Sequence, residues 1–395
     1  ALAGGSCARA SESLSRVSRA PRDADGGAHI DGQPCDIATA IAAAARTLGR
    51  SRQPLFAGLG TDVAGARALY PLACALGAIS DCAGGDAFMQ GVRALQDRGQ
   101  FTTTLAEVRS RADLIVFIGG LPGSLAPRTA LRCGIAELGV APRHVVLLGA
   151  NPGDAGRLAQ CAAPGATCEA LGLAGDLFGS VALLAALVSQ QGVRDPPEGL
   201  RTLAARLRAA RYAVLVGTPP HLPAQGGLII ETVHAIVNQL NHHTRAAALW
   251  VGGGNGAATA NQVFTWLSGL PLRSRAGPRG LEHEPLVFAA QRLLDDRAVD
   301  ALLWVSSFDA AASNAPPSTD LPSVVLGPPA LGAACRRPGK VFIPVATPGI
   351  GSAGHAFRTD GTVLMPLRAV FDDPWPTVAV VAHGILQALN QERGG

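Results

Sequence analysis

Continuous apolar runs that end at glycine recur along the chain. The clearest are Pro54–Gly58, Ala112–Gly120, His144–Gly149, Tyr212–Gly217 and Ala247–Val251, the last followed directly by glycine. These runs do not alternate between apolar and polar residues, and unbroken apolar runs are typical of parallel strands covered on both faces. A glycine at the end of such a strand suits a tight turn toward a crevice at the carboxyl edge of a sheet.

Alanine-rich stretches of helical period lie between the apolar runs. They include Asp36–Leu48, Val63–Leu76, Leu105–Arg111 and Ile229–Leu240. Asp36 is placed to cap the first helix, because its carboxylate can accept a hydrogen bond from the unpaired N–H groups there. The alternation of strands and helices predicts an α/β fold with doubly wound, mainly parallel sheets in two related halves.

The repetition of this pattern divides the chain into four predicted regions. An N-terminal arm, rich in small residues, and the first helix occupy 1–49, and the first α/β half spans 50–192. The second half spans 193–345, and its first residues, which include Pro196-Pro197, end a helix and form a linker. A C-terminal segment covers 346–395.

Composition argues against several classes of protein. Of 395 residues, 48% are hydrophobic and 16% are charged, so the chain can bury a large core. The net charge is +4 and no basic run has interleaved aromatic residues, which argues against nucleic-acid binding. The most apolar window, Ala170–Val188, is interrupted by Asp176 and favours a buried helix over a membrane span. The small charged fraction is typical of a surface that other subunits partly cover.

Cysteine and histidine spacing predicts no metal site. The eight cysteines include no C-x-x-C pair, and their small apolar neighbours favour reduced thiols in a cytoplasmic protein. His242 and His243 are adjacent, so on a helix they would point about 100° apart. The sequence contains no H-E-x-x-H motif and no G-x-S-x-G motif, so neither a zinc site nor a serine hydrolase is supported.

Two glycine-containing segments are candidates for ligand contact. Gly252–Gly256 follows a strand and has the composition of a phosphate-cradling turn, although a tight turn without a ligand explains it equally well. Thr61 and Asp62 follow the first strand at the edge where α/β folds place their chemistry. The alternative for Asp62 is a cap of the helix that begins at Val63.

Three arginines form a third candidate. Arg273, Arg275 and Arg279 cluster in a loop that contains glycine and proline. Guanidinium groups bind carboxylates by paired hydrogen bonds, so this loop either binds an acidic ligand or partner, or lies in solvent.

Four segments together resemble one family. Pro54–Gly58 resembles the start of the pterin-binding core of molybdopterin oxidoreductases, and Arg111–Pro122 followed by Ala126–Arg128 resembles a strand and turn of that core. Asn261–Pro271 (NQVFTWLSGLP) and Gly354–Gly361 (GHAFRTDG) resemble segments of the B subunit of formylmethanofuran dehydrogenase. The resemblance covers about residues 5–370 and implies the molybdopterin oxidoreductase core.

Departures from this family concern its metal and cluster ligands. The dehydrogenase subunit has an N-terminal cysteine motif for an iron–sulfur cluster, and here Cys7 alone could be its remnant. The dehydrogenase also places a cysteine or selenocysteine on molybdenum or tungsten after the first strand, where this chain has no thiol. The resemblance therefore implies neither molybdopterin nor an iron–sulfur cluster, and no cofactor bound by this chain alone. It implies a relic, narrowed pterin crevice at Gly58, Thr61, Asp62, Gly119, Arg128 and Gly252.

A fold of this type without its redox ligands resembles the beta (B) subunit of the bacterial formyltransferase/hydrolase complex. That resemblance implies a role in tetrahydromethanopterin-linked one-carbon metabolism, in which a formyl group passes through a methanofuran-type carrier and is released as formate. It assigns the chemistry to an amidohydrolase-like subunit and a formyltransferase subunit. These two and a further subunit would be the partners of this chain, which would be a non-catalytic structural subunit.

Two other functions stay open at the level of sequence. The first is an active molybdenum or tungsten oxidoreductase subunit of the formylmethanofuran dehydrogenase type, with Asp62 as the metal ligand. The second is a stand-alone α/β ligand-binding protein. Methanofuran-type carriers have an acidic tail, so the resemblance also implies that Arg273, Arg275 and Arg279 contact the carrier or, alternatively, acids of a neighbouring subunit.

Overall fold

The computed structural model describes residues 14–15, 27–121, 128–138, 142–252, 254–309 and 315–394. The chain forms two compact units, and the second is inserted into the first. The first unit comprises the described residues up to 85 together with those from 254 onward, and the second comprises residues 86–252.

Short strands alternate with helices over the described residues. The strands are β1 (His29–Ile30), β2 (Gln33–Pro34), β3 (Pro54–Gly60), β4 (Ile79–Ser80), β5 (Leu114–Ile118), β6 (His144–Leu148), β7 (Thr167–Leu171), β8 (Tyr212–Gly217), β9 (Arg245–Trp250), β10 (Ser274–Gly277), β11 (Gly280–His283), β12 (Ala301–Ser306), β13 (Ser323–Gly327), β14 (Lys340–Pro344), β15 (Gly354–Phe357) and β16 (Leu364–Leu367). The α-helices are α1 (Ile37–Gly49), α2 (Val63–Leu76), α3 (Gly85–Arg98), α4 (Leu105–Arg111), α5 (Arg128–Arg132), α6 (Pro152–Ala159), α7 (Leu177–Val188), α8 (Glu198–Ala209), α9 (Gly226–Leu240), α10 (Ala257–Ser268), α11 (Ala290–Asp295) and α12 (Val378–Gly394).

The first unit is built on a nine-stranded sheet in the order β11-β10-β4-β3-β12-β13-β14-β1-β2. Its five central strands, β4, β3, β12, β13 and β14, are parallel, and antiparallel pairs flank them on both sides. Every residue of β3 is buried, as expected of a strand covered on both faces. Strands β15 and β16 form a separate hairpin.

The second unit is built on a five-stranded parallel sheet in the order β7-β6-β5-β8-β9. The residues of β5 alternate between two cores, because successive side chains of a strand point to opposite faces. Leu114 and Val116 join one hydrophobic core, and Ile115 and Phe117 join the other. The predicted α/β fold with mainly parallel sheets is therefore confirmed.

The observed units differ from the two halves that the sequence predicted. Strands from both predicted halves share each sheet: β5 pairs with β8, and β3 pairs with β12. The predicted linker before α8 therefore lies inside the second unit. The chain leaves the first sheet after β4 and returns to it at β10. The first unit is therefore built from two separate stretches of sequence, with the second unit between them in the chain.

Helix ends follow the capping chemistry of the sequence. The Asp36 carboxylate accepts from the Thr39 amide at 2.8 Å, which confirms the predicted cap of α1. The apolar window that the sequence assigns to a buried helix contains α7, with Val181 and Leu184 fully buried. None of the helices in the described ranges is long and apolar enough to cross a membrane.

Candidate functional site

The C-terminal end of β3 is where the dehydrogenase family would place its metal ligand. Gly58 has φ of 75° there and is buried against β12. A Cβ atom on Gly58 would lie 2.6 Å from the Val305 carbonyl oxygen and 3.0 Å from the Trp304 ring. Glycine at this position therefore serves close backbone packing within the first unit.

Thr61 and Asp62 are both buried at the start of α2. The Asp62 carboxylate accepts from the Gly65 amide at 3.0 Å, so the capping alternative is confirmed. A Cβ atom on Gly354 would overlap Asp62 Oδ2, which shows how closely β15 covers this carboxylate. One oxygen of the Asp62 carboxylate therefore caps α2, and Gly354 packs against the other.

The turn before α10 fills the space beside Gly60 and Thr61. Asn255 and Gly256 have φ of 51° and 78°, and together they bend the chain onto the end of β3. A Cβ atom on Gly60 would lie 2.8 Å from Asn255, and one on Gly256 would lie 2.7 Å from the Thr61 backbone. We call this site the β3 turn contact and define it as Gly58–Asp62 together with Gly254–Gly256. The turn before α10 leaves no open space beside Gly60 and Thr61.

Serine hydroxyls complete the closure of the β3 turn contact. Ser307 donates to the Gly60 carbonyl from its hydroxyl at 2.8 Å and from its amide at 2.6 Å. The Asn255 amide nitrogen donates to Ser306 Oγ at 3.3 Å. Ser307 thus satisfies the last carbonyl of β3, and the turn before α10 is bonded to the end of β12.

The residues of the β3 turn contact do not fit a molybdenum or tungsten pterin. The segment has no thiol, its one carboxylate caps α2, and the space beside it holds the turn before α10. Among the described residues, no three side chains of His, Cys, Asp or Glu converge as metal ligands would. Cys7, the one candidate remnant of the cluster motif, lies outside the described residues.

The other predicted crevice residues belong to the second unit. Gly119 follows β5 and is exposed, with φ of 78°, and Gly252 follows β9 and is half-buried beside Pro219 and Pro220. Both therefore lie at the carboxyl edge of the parallel sheet, as predicted. Arg128 is exposed at the start of α5. The assignment of these residues to a relic crevice stays a prediction.

The three candidate arginines have three different environments. Arg273 is buried, pairs with the buried Asp81 at 3.2 Å and donates to the Pro285 carbonyl. Arg275 pairs with Glu282 at 2.7 Å and donates to Gln53, and its guanidinium lies over the Phe288 ring. The side chain of Arg279 is 87% exposed and lies 3.5 Å from Glu282. Of the three, Arg279 is the one that is open to an acidic ligand from solvent.

Sequence reasoning missed Asp81 as the counter-charge of Arg273. Asp81 follows the short strand β4 and accepts from the amides of Cys82 and Ala290 as well as from Arg273. The single signal in the sequence is an aspartate directly after an apolar run. That signal is also typical of a helix cap, so it does not identify an ion pair.

Comparison with known proteins places these observations in a family. No family model matches the chain. The chain is 31% identical over 286 residues, 72% of its own length and 75% of the relative's, to the B subunit of the formyltransferase/hydrolase complex of Methylorubrum extorquens. It is 26% identical to the B subunit of a tungsten-containing formylmethanofuran dehydrogenase of Methanocaldococcus jannaschii, over 87% of this chain and 81% of that relative.

A solved structure agrees with the sequence comparison. The crystal structure of the formyltransferase/hydrolase complex of Methylorubrum extorquens with methylofuran contains a chain that matches at a TM-score of 0.81 and 28% identity. The match covers 93% of this chain and all of that one. Fold and comparisons define an α/β protein related to the B subunits of formylmethanofuran dehydrogenases, in which the turn before α10 closes the end of β3. The chain belongs to the family of formyltransferase/hydrolase complex B subunits.

Proposed function

We propose that this chain is a structural subunit, without a catalytic site of its own, of a formyltransferase/hydrolase complex. The complex would release formate from a formyl group that enters through tetrahydromethanopterin-linked one-carbon metabolism and a methanofuran-type carrier. Its partners would be an amidohydrolase-like subunit, a formyltransferase subunit and a further subunit. The relative from Methylorubrum extorquens, named as the B subunit of such a complex, supports this assembly.

The closed β3 turn contact is the observation that carries the non-redox part of the proposal. Asp62 is the candidate metal ligand in the alternative, dehydrogenase function, yet its carboxylate accepts from the Gly65 amide and is covered by Gly354. Gly256 and Asn255 fill the neighbouring space. A metal–pterin group would have to displace the turn before α10 and uncap α2, and each change costs stability.

Metal analysis of the purified complex tests this part of the proposal. We expect molybdenum, tungsten and iron to be far below one atom per chain, with no visible absorbance from an iron–sulfur cluster. The matched control is Asp62→Asn, which keeps the size of the cap and removes the charge. About one molybdenum or tungsten per chain that disappears in Asp62→Asn would establish the dehydrogenase alternative instead.

Contact with the carrier is the finer part of the proposal. The related complex was crystallised with methylofuran, which supports a carrier of that chemical class. Arg279 is the candidate that best suits an acidic carrier tail, because its side chain is exposed and Arg273 is already paired with Asp81. Exposed charge pairs contribute about 0–1 kcal/mol each, so Arg279 would act together with groups from the partner subunits.

A further inference from the structure

His234 of α9 is buried and lies between two hydrogen-bond donors of the second unit. The Phe101 amide nitrogen lies 3.2 Å from His234 Nδ1, and the Trp250 indole nitrogen lies 2.9 Å from Nε2. The imidazole is 2% exposed and the two rings are tilted by 51°. A backbone amide and an indole can each donate a hydrogen bond but cannot accept one.

One imidazole cannot satisfy both donors at the same time. A neutral imidazole carries a proton on one nitrogen and accepts at the other, and an imidazolium carries protons on both. Each tautomer therefore turns an N–H group toward one of the two donors, and the imidazolium turns N–H groups toward both. Burial lowers the pKa of His234 to about 4, which leaves the neutral ring with its single acceptor near neutral pH.

The two donors lie at different places beside the parallel sheet of the second unit. Phe101 belongs to a short segment on the outer side of the edge strand β9, where its carbonyl accepts from the Ala248 amide. Trp250 ends β9, and its ring lies so close to Gly217 that a Cβ atom there would overlap it. The indole therefore covers the carboxyl end of β8, the edge at which doubly wound folds bind ligands.

We propose that His234 is a two-state acceptor that accepts a hydrogen bond from either the Phe101 amide or the Trp250 indole. With the proton on Nε2, Nδ1 accepts from Phe101 and the indole loses its partner above Gly217. With the proton on Nδ1, Nε2 accepts from Trp250 and the Phe101 amide is released. The conversion returns one proton to water and takes one from water, so the ring stays neutral.

Nitrogen NMR of the full chain labelled with ¹⁵N-histidine, ¹⁵N-phenylalanine and ¹⁵N-tryptophan tests this proposal. Wild type should show a neutral His234 ring, and neither the Phe101 amide nor the Trp250 indole should be fully protected from exchange with solvent. In Trp250→Phe the competing donor is gone, so the ring should become the Nε2–H tautomer. The Phe101 amide should then exchange about three- to tenfold more slowly, as one additional hydrogen bond implies.

Trp266→Phe is the matched control, because Trp266 lies on α10 of the first unit and is 53% exposed. It should leave the His234 ring and the Phe101 amide unchanged. Unchanged Phe101 exchange in Trp250→Phe would overturn the proposal, as would an imidazolium ring in wild type at neutral pH. If Trp250→Phe does not fold, wild type decides: partial protection of both donors supports the proposal, and full protection of both donors, or of one donor alone, contradicts it.

Discussion

Gly256 approaches Thr61 so closely that a Cβ atom on Gly256 would lie 2.7 Å from both the backbone nitrogen and the backbone oxygen of Thr61. Two segments nearly 200 residues apart in sequence thus meet backbone to backbone at the end of β3. The contact closes the end of β3, where the proposed function expects no metal ligand.

Gly256→Ala should therefore destabilise the first unit strongly. The substitution adds a methyl group against the Thr61 backbone and also places alanine at φ of 78°. Gly269→Ala is the matched control, because Gly269 has the same φ of 78° and no atom within 4 Å of an added Cβ. We expect a loss of unfolding free energy of about 1 kcal/mol for the control and about 3 kcal/mol or more for Gly256→Ala. Equal losses in urea titrations would show that the β3 turn contact is not tight.

Alanine substitution of the three arginines should give a graded loss of stability. Arg273→Ala removes the guanidinium paired with the buried Asp81, leaves only backbone amides of the described residues to bind that carboxylate, and should cost about 3–5 kcal/mol. Arg275→Ala loses a half-buried pair and should cost less, and Arg279→Ala should change stability by less than about 0.5 kcal/mol. Denaturant unfolding of the single variants tests this order. An unchanged free energy of unfolding in Arg273→Ala would contradict the buried ion pair.

Arg279→Ala is also the variant that tests carrier contact, because the exposure of Arg279 predicts little effect on the fold. In the assembled complex we expect less carrier to be retained through purification, with the subunits still together. Arg157→Ala is the control, since Arg157 is 77% exposed in the second unit and also pairs with an acid three residues away. Equal carrier retention in the two variants would exclude a role for Arg279 in holding the tail. Disassembly in Arg279→Ala alone would assign it to a contact with a partner.

Stability should depend on pH through His234. Its pKa is about 4 in the folded chain and 6.5 when unperturbed, so the unfolded chain binds more protons between these values. Unfolding free energy should therefore fall as pH decreases from 6.5 to 4, by roughly 3 kcal/mol from this group. His234→Gln should remove this part of the slope, whereas the exposed His243→Gln should keep it. Parallel slopes for wild type and His234→Gln would contradict burial of the neutral ring.

The elements of the fold were predictable because their signals are local. The apolar runs indicated β3, β5, β6, β8 and β9, and the absence of alternation correctly predicted strands buried on both faces. The order of strands was not predictable, because any two apolar runs of this kind are equally able to pair. The pairing of β3 with β12 joins segments separated by more than 240 residues, and it decides which residues form each unit.

The candidate site shows the same division between local and distant signals. The cap at Asp62 follows from the residues next to it, so the sequence already offered it as an alternative. Burial of Arg273 depends on Asp81, 192 positions away, and a loop arginine with no neighbouring acid gives no indication of such a partner. Closure of the β3 turn contact likewise depends on where the turn before α10 folds back.

Co-purification tests the assignment to a formyltransferase/hydrolase complex most directly. The tagged chain would be expressed together with the amidohydrolase-like and formyltransferase subunits, captured, and analysed by size-exclusion chromatography with native mass spectrometry. We expect one species that contains all the subunits in fixed ratio, and release of formate from the formylated carrier by that species. A well-behaved monomer of this chain that has no affinity for either partner would contradict the assignment.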